Sequence, residues 1–90
     1  MDTSYHSARF HSGGMTVEFE AVLCPDEPGA GIFRLKRVFR GELVTDVSSG
    51  NALVFGEWMR DCLGYGPAGD MLKEAGVPEW SPLWKRGIKG

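Results

Sequence analysis

The hydrophobic and polar residues of this 90-residue chain follow two rhythms, which meet near Ser48. Before Ser48, apolar residues recur at every second position, which is the period of a β-strand with one buried face. After it they recur at every third or fourth position, which is the period of an amphipathic helix. The change predicts an α+β fold, in which an antiparallel sheet comes first and two short helices then pack on one of its faces.

Three strands are predicted, over residues 15–24, 32–39 and 43–47, and together they form an antiparallel meander. Pairing the first two strands so that Val22 faces Ile32 makes the polar and the apolar registers agree, which supports this hairpin. The other aligned pairs are Glu20–Arg34, Glu18–Lys36, Phe19–Leu35 and Ala21–Phe33.

Residues 1–14 have two interpretations, ahead of a single domain formed by residues 15–90. They are either an N-terminal arm or an edge strand that enters the sheet through a turn at Gly13 and Gly14. The sheet is therefore three-stranded, or four-stranded if this segment pairs with the strand that begins near Met15.

The turn after residue 39 decides where the side chain of Arg37 points. A three-residue turn over residues 40–42 pairs Phe39 with Leu43 and points Arg37 towards the core. A two-residue turn over residues 40–41, with a bulge near Arg37, points it outward. The three-residue turn is preferred because it needs no extra residue in the ladder.

The two helices are predicted over residues 51–63 and 67–75. Gly64 suits the left-handed end of the first helix, and Pro67 suits the first position of the second. Helical spacing puts Arg60 on the polar face of the first helix. The residues predicted for the core are Phe19, Leu23, Phe33, Leu35, Val47, Phe55, Met59, Met71 and Leu72.

The C-terminal tail is apolar, since Trp80 and Trp84 lie among prolines and glycines. The preferred interpretation is that the tail folds back on the helices and completes the core. Alternatively its tryptophans bind a partner, because tryptophan often dominates the energetics of interfaces. Lys85, Arg86 and Lys89 would then steer the contact electrostatically.

Composition excludes several classes of function. The chain has 12 acidic and 10 basic residues and a net charge of −2, so its overall field does not attract nucleic acid. No apolar run is long enough to span a bilayer, and the N-terminal segment lacks the pattern of a secretion signal. We therefore expect a cytoplasmic protein without a membrane partner, in which Cys24 and Cys62 are thiols.

No motif predicts catalysis, a metal or a cofactor. His6 and His11 are spaced like half of a zinc site, but Cys24 and Cys62 do not form the paired motif that would complete it. The glycine-rich segment 64–69 follows a helix and lacks the lysine of a phosphate-binding loop. We expect that the protein is not an enzyme and has no cofactor.

A cluster of basic residues is the best candidate for a binding surface, because four of the ten basic residues fall within seven positions. Their aromatic neighbours are predicted on the opposite face, so a stacking platform for single-stranded nucleic acid is missing. A protein partner is therefore preferred. The predicted partner-binding residues are Arg34, Lys36, Arg37, Arg40, Trp80 and Trp84.

The function expected from these features is that of a small, non-enzymatic protein-binding module. By analogy of size and charge, it would be an inhibitor from a phage or mobile element, similar to an anti-CRISPR protein, that covers a bacterial nucleic-acid-handling complex. Its partner would be a protein or ribonucleoprotein. Two alternatives are a nucleic-acid-binding regulator that uses the basic strand 34–40 and a toxin-type ribonuclease with His6 or His11 as base.

Overall fold

A computed structural model describes residues 2–85 and confirms the α+β fold, with the sheet in its four-stranded form. The strands lie in the sheet in chain order, and each is antiparallel to its neighbour. Both helices and a 3₁₀ turn follow the sheet in the chain. The elements are β1 (Ser4–Ser12), β2 (Met15–Leu23), β3 (Ala30–Phe39), β4 (Glu42–Asn51), α1 (Ala52–Leu63), α2 (Tyr65–Glu74) and the turn Pro82–Trp84.

The predicted register between β2 and β3 is observed, with Val22 opposite Ile32 and the four other aligned pairs in place. The N-terminal segment forms the edge strand β1, which pairs with β2 along its whole length. β4 continues to Asn51, beyond the predicted end at residue 47. Its last residues are small and polar, so they carry no hydrophobic alternation although their backbone completes the ladder.

The turn between β3 and β4 has two residues, so the preferred three-residue turn is wrong. Arg40 and Gly41 both have positive φ angles, 49° and 87°. Two such residues form the turn whose twist matches that of a β-hairpin. As a result, Phe39 pairs with Glu42 and not with Leu43.

The side chain of Arg37 nevertheless points inward, because β3 keeps its regular register with β2, in which Arg37 lies opposite Val17. Val38 pairs with Leu43 and Arg37 pairs with Thr45, which leaves Val44 as the extra residue in β4. The bulge therefore lies in β4, opposite Arg37 and Val38, and not in β3. The three-residue alternative is therefore right about the inward direction of Arg37, and the two-residue alternative is right about the turn and the presence of a bulge.

The core lies between one face of the sheet and the helices. Phe55 of α1 packs over two sheet residues, with its ring centroid 6.1 Å from that of Phe19 and 5.7 Å from that of Phe33. Eight of the nine predicted core residues are buried, and Val47 is half-buried against the same cluster. The buried hydrophobic residues outside that predicted set are Ala21, Ala52, Ala68, Val77 and Leu83.

The C-terminal tail folds back onto α1. Leu83 is fully buried, and the indole Nε1 of Trp84 donates a hydrogen bond of 3.0 Å to the carbonyl of Val77. Arg60 is only 8% exposed, and its Nη2 donates to the carbonyl of Leu83 at 2.7 Å. Its predicted place on the polar face is wrong because Gly56, one turn earlier, leaves room for the guanidinium.

Candidate functional site: the uncovered face of the sheet

One face of the sheet is covered by the helices, and within residues 2–85 no element covers the other, which we call the outer face. Side chains alternate across each strand, so the register places the outward-facing residues of the four strands in rows. The two central rows are Ser7–Glu20–Arg34–Ser48 and Arg9–Glu18–Lys36–Asp46.

The charged side chains of these rows pair with one another. Arg9 and Glu18 form an ion pair of 2.8 Å across β1 and β2. Arg34 donates two hydrogen bonds to Asp46, at 3.0 and 2.8 Å, in a bidentate pair. The two rows together hold three basic and three acidic residues, so the centre of the outer face is a neutral mosaic of charges.

A groove of about 530 Å³ runs over this mosaic. The hydroxyl of Tyr5 donates a hydrogen bond of 2.9 Å to Glu20 at its margin, and this carboxylate raises the pKa of the Tyr5 phenol. The cations Arg9, Arg34 and Lys36 also line the groove. The groove therefore offers aromatic, acidic and basic side chains to a ligand within one shallow concavity.

Large apolar side chains flank the mosaic at both ends. At one end the row Tyr5–Val22–Ile32 leaves Tyr5 62% and Ile32 68% exposed. At the other end Val38 lies opposite Leu43, which is 57% exposed. Both ends of the outer face therefore present apolar side chains that would gain from burial by a partner.

Tyr5 and Arg9 belong to this surface, although neither is among the predicted site residues. The sequence signal for them is the alternation of Ala8 and Phe10, which face the core, with Arg9 and His11, which face outward. That signal is weak because Ala8 is small and the edge strand buries little apolar surface.

The four clustered basic residues do not form one patch. Arg34 and Lys36 lie on the outer face, as expected from the predicted register. Arg37 lies on the other side of the sheet, where Nε donates to Thr45 Oγ1 at 2.9 Å and Nη1 donates to the carbonyl of Cys62 at 3.3 Å. Arg37 therefore joins the sheet to the end of α1, where a cation also suits the helix dipole.

The other three predicted binding residues lie apart from the outer face. Arg40 is in the hairpin turn, with its guanidinium carbon 5.0 Å from the centroid of the Phe39 ring. Trp84 packs against the core, whereas Trp80 is 45% exposed on the helical side. Two of the cations expected beside the tail lie outside the described residues: Arg86 and Lys89.

Replacing Arg37 is expected to destabilise the protein more than replacing Arg34. Arg37→Ala leaves the carbonyl at the end of α1 and the Thr45 hydroxyl without their partly buried donor, a loss of about 1–2 kcal/mol. Arg34→Ala removes an exposed ion pair, which solvent screens and which therefore contributes less. Urea unfolding of the two variants measures the difference, and an equal or reversed order would contradict the inward position of Arg37.

The Arg34–Asp46 pair also predicts a pH effect. The hydrogen bond from the Arg34 guanidinium holds the pKa of Asp46 below its ordinary value. The folded state therefore binds this proton less tightly than the unfolded state does. The pair's stabilisation is complete above the unfolded pKa of about 3.9 and is lost as the pH falls through the lower folded pKa.

A carboxyl NMR titration tests this effect at the residue itself. The midpoint of Asp46 should lie below the ordinary aspartate value and return to it in Arg34→Ala. Arg9→Ala is the matched control, since Arg9 pairs with Glu18 and should leave Asp46 unchanged. The same Asp46 midpoint in all three proteins would show that the bidentate pair does not form in solution.

The two histidines proposed as catalytic bases lie apart from each other and bond to different partners. Nδ1 of His6 lies 3.1 Å from the carbonyl of Ala75, which ties β1 to the end of α2. Nδ1 of His11 lies 2.9 Å from Thr16 Oγ1 near the opposite end of β1. Among residues 2–85, no three histidine, cysteine or acidic side chains form a group that could hold a metal ion.

Comparison with known proteins adds no assignment, since no protein-family model, curated protein sequence or solved structure matches the chain. In the described part of the chain, no helix is both long and apolar enough to cross a membrane. What the protein binds must therefore be inferred from the chemistry of its surfaces.

Proposed function

We propose that this protein is a non-enzymatic binding module that recognises a protein partner through the outer face of its sheet. The observation that carries this proposal is the exposure of Ile32 and Tyr5 beside a groove in which Arg9 and Arg34 already form ion pairs. Apolar anchors gain most from burial, and paired polar groups lose least when water is removed. The outer face offers both, with polar groups at its centre and apolar side chains at its two ends, the reverse of the usual apolar core and polar rim.

The size of the outer face suits a protein partner. Four strands spaced by about 4.8 Å, each about nine residues long with a rise of about 3.4 Å, present a sheet surface of about 600 Å² before side-chain relief. One partner in a typical specific complex buries about 800 Å². The outer face therefore supplies most of the area that such a complex needs.

The same charge pattern argues against the nucleic-acid alternative. Binding to phosphates needs cations that can neutralise them and release counterions. On the outer face Arg34 is occupied by Asp46 and Arg9 by Glu18, and Arg37 points to the other side of the sheet. The basic strand therefore lacks the continuous positive charge on which a nucleic-acid regulator would depend.

A narrower form of the proposal is a cytoplasmic inhibitor of phage or mobile-element origin, of the anti-CRISPR type. Its partner would be a bacterial nucleic-acid-handling complex, contacted through a protein or ribonucleoprotein surface. Its support is an analogy of size and charge, and no individual residue carries it. The identity of the captured partner decides it, because a partner without a nucleic-acid function would reject this narrower form.

Affinity capture with paired variants tests the proposed function. Immobilised protein is exposed to a bacterial lysate in parallel with Ile32→Glu and Leu53→Glu. Both replace an exposed aliphatic residue by glutamate, but Ile32 lies on the outer face and Leu53 is 44% exposed on α1. A captured protein is accepted as a partner of the outer face only if the Leu53→Glu variant still captures it and the Ile32→Glu variant does not.

Affinity measurements with the purified partner then give the size of each variant's effect on binding. Ile32→Glu should weaken the affinity for the partner at least tenfold, because an interface anchor is lost. Arg34→Glu, tested as a separate variant, should also weaken the affinity, because it leaves Asp46 without its partner. The proposal is wrong if Ile32→Glu and Arg34→Glu bind as tightly as the unmodified protein while Leu53→Glu or Trp80→Ala does not.

A further inference from the structure

β4 is an edge of the sheet whose free side faces no other strand in the described part of the chain. Its residues pair with β3 alone, and within residues 2–85 no backbone group between Leu43 and Gly50 hydrogen-bonds to any element other than β3. At the opposite edge, β1, the side chain of His6 hydrogen-bonds to the carbonyl of Ala75 at the end of α2. An unpaired edge strand is a template for strand addition.

Helix α1 places apolar side chains next to this free edge. It begins after Asn51 and runs back along β4, because the carbonyl of Cys62 near its end reaches Arg37, which pairs with Thr45. On its flank Val54 is 38% and Trp58 is 40% exposed. A groove of about 290 Å³ lies between this flank and β4. It is lined by Val47, Trp58, Asp61 and Cys62.

We propose that this edge pairs with the same edge of a second copy of the chain. The result is a twofold-symmetric dimer with one continuous eight-stranded sheet, in which each groove is covered by the other copy. The proposal goes beyond the proposed function and does not depend on it, since the outer face remains uncovered in the dimer.

The sequence of β4 is complementary to itself in one antiparallel register. Centring the twofold axis on Val47 pairs this residue with its own copy, Asp46 with Ser48, and Thr45 with Ser49. The valines meet on the inner face beside Trp58, and a hydroxyl faces each carboxylate on the outer face. The neighbouring register, centred on Asp46, would instead set two carboxylates opposite each other, which is unfavourable.

The spacing of the helices points to the same axis. α1 packs over both β3 and β4, so two copies of α1 would be separated by about two strand spacings, or about 10 Å. Packed helices lie about 8–10 Å apart. Because Val47 and Trp58 line the same groove, an axis through Val47 also brings the two Trp58 side chains together. A single twofold axis therefore allows both the pairing of the two β4 strands and the packing of the two α1 helices.

Sedimentation velocity measures the oligomeric state directly. At about 100 μM, where a micromolar Kd leaves most chains paired, the protein should sediment with twice its chain mass of 9.9 kDa. Trp58→Lys should weaken association at least a hundredfold. Leu53→Lys is the matched control, since Leu53 lies on the other flank of α1, and it should remain dimeric. A monomeric unmodified protein, or a Trp58→Lys variant that still dimerises, would overturn the proposal.

Disulfide cross-linking tests the register. In a background carrying Cys24→Ala and Cys62→Ala, Val47→Cys should form a covalent dimer with oxidised glutathione as oxidant. Ser49→Cys should not, because the two copies of residue 49 lie about 14 Å apart along the paired strands. The proposed axis would be excluded if the Ser49→Cys variant formed the covalent dimer and the Val47→Cys variant did not. It would also be excluded if both variants cross-linked equally well.

Discussion

A Phe55→Ala variant is expected to lose about 3–5 kcal/mol of stability, the range for removing a fully buried aromatic side chain. Phe55 is completely buried, and its ring is the contact of α1 with both Phe19 and Phe33. No neighbouring side chain can fill the space of a benzyl group without moving a strand. Since small domains are stable by about 5–15 kcal/mol, this single change removes a large share of the total.

Urea unfolding followed by circular dichroism measures the loss. Phe39→Ala is the matched control, because Phe39 is 38% exposed at the hairpin turn and should cost about 1 kcal/mol or less. If the two variants were equally stable, α1 would not pack on this face of the sheet. The distinction between a covered and an outer face would then fail.

The second large effect is expected for Gly31→Ala. A Cβ at Gly31 would clash with the carbonyl oxygen of Val22 and lie 2.7 Å from the ring of Phe33. The backbone of β2 cannot yield without breaking its ladder with β3, so the substitution is expected to cost about 2–3 kcal/mol. The cause is a steric clash at the end of the β2–β3 ladder, where Gly31 pairs with Leu23, and not a loss of chain flexibility.

Gly29→Ala provides the control two residues earlier, in the loop before β3, because a Cβ at Gly29 would meet no atom within 4 Å. Its free energy of unfolding should stay within about 0.5 kcal/mol of that of the unmodified protein. Thermal unfolding of both variants gives the comparison. Equal stability of the two would mean that β2 and β3 do not approach each other as closely as described at this position.

The register of β2 and β3 could be predicted because two independent patterns specify it. Sliding one strand by a single residue would move Phe19 away from Leu35 on the inner face and Glu18 away from Lys36 on the outer face. Alternation also identified the large core residues of these two strands, Phe19, Leu23, Phe33 and Leu35. In these strands local pattern and tertiary packing agree, which is why sequence was sufficient.

Other features depend on backbone geometry that side-chain patterns do not encode. The two-residue turn requires Arg40 to adopt a positive φ, which is uncommon for a residue with a Cβ. The bulge at Val44 places Thr45 opposite the inward-facing Arg37, although the hydrophobic pattern gives no sign of an extra residue. The burial of Arg60 needs both Gly56 and Leu83, which come together only in the folded chain.

The candidate site could be predicted only in part for a similar reason. Arg34 and Lys36 were expected to face outward, and they do, but their acidic neighbour Asp46 comes from β4. The aromatic end of the groove comes from Tyr5 in a strand that the sequence left open. A surface formed across four strands is visible only once the register of all four is known.

Hydroxyl-radical footprinting of the protein, free and bound to its captured partner, tests the role of the outer face most directly. Tyr5 and Ile32 should lose most of their reactivity in the complex, while Tyr65 and Trp80 on the helical side should keep theirs. Protection of Tyr65 and Trp80 with Tyr5 and Ile32 still reactive would place the partner on the opposite side and contradict this account.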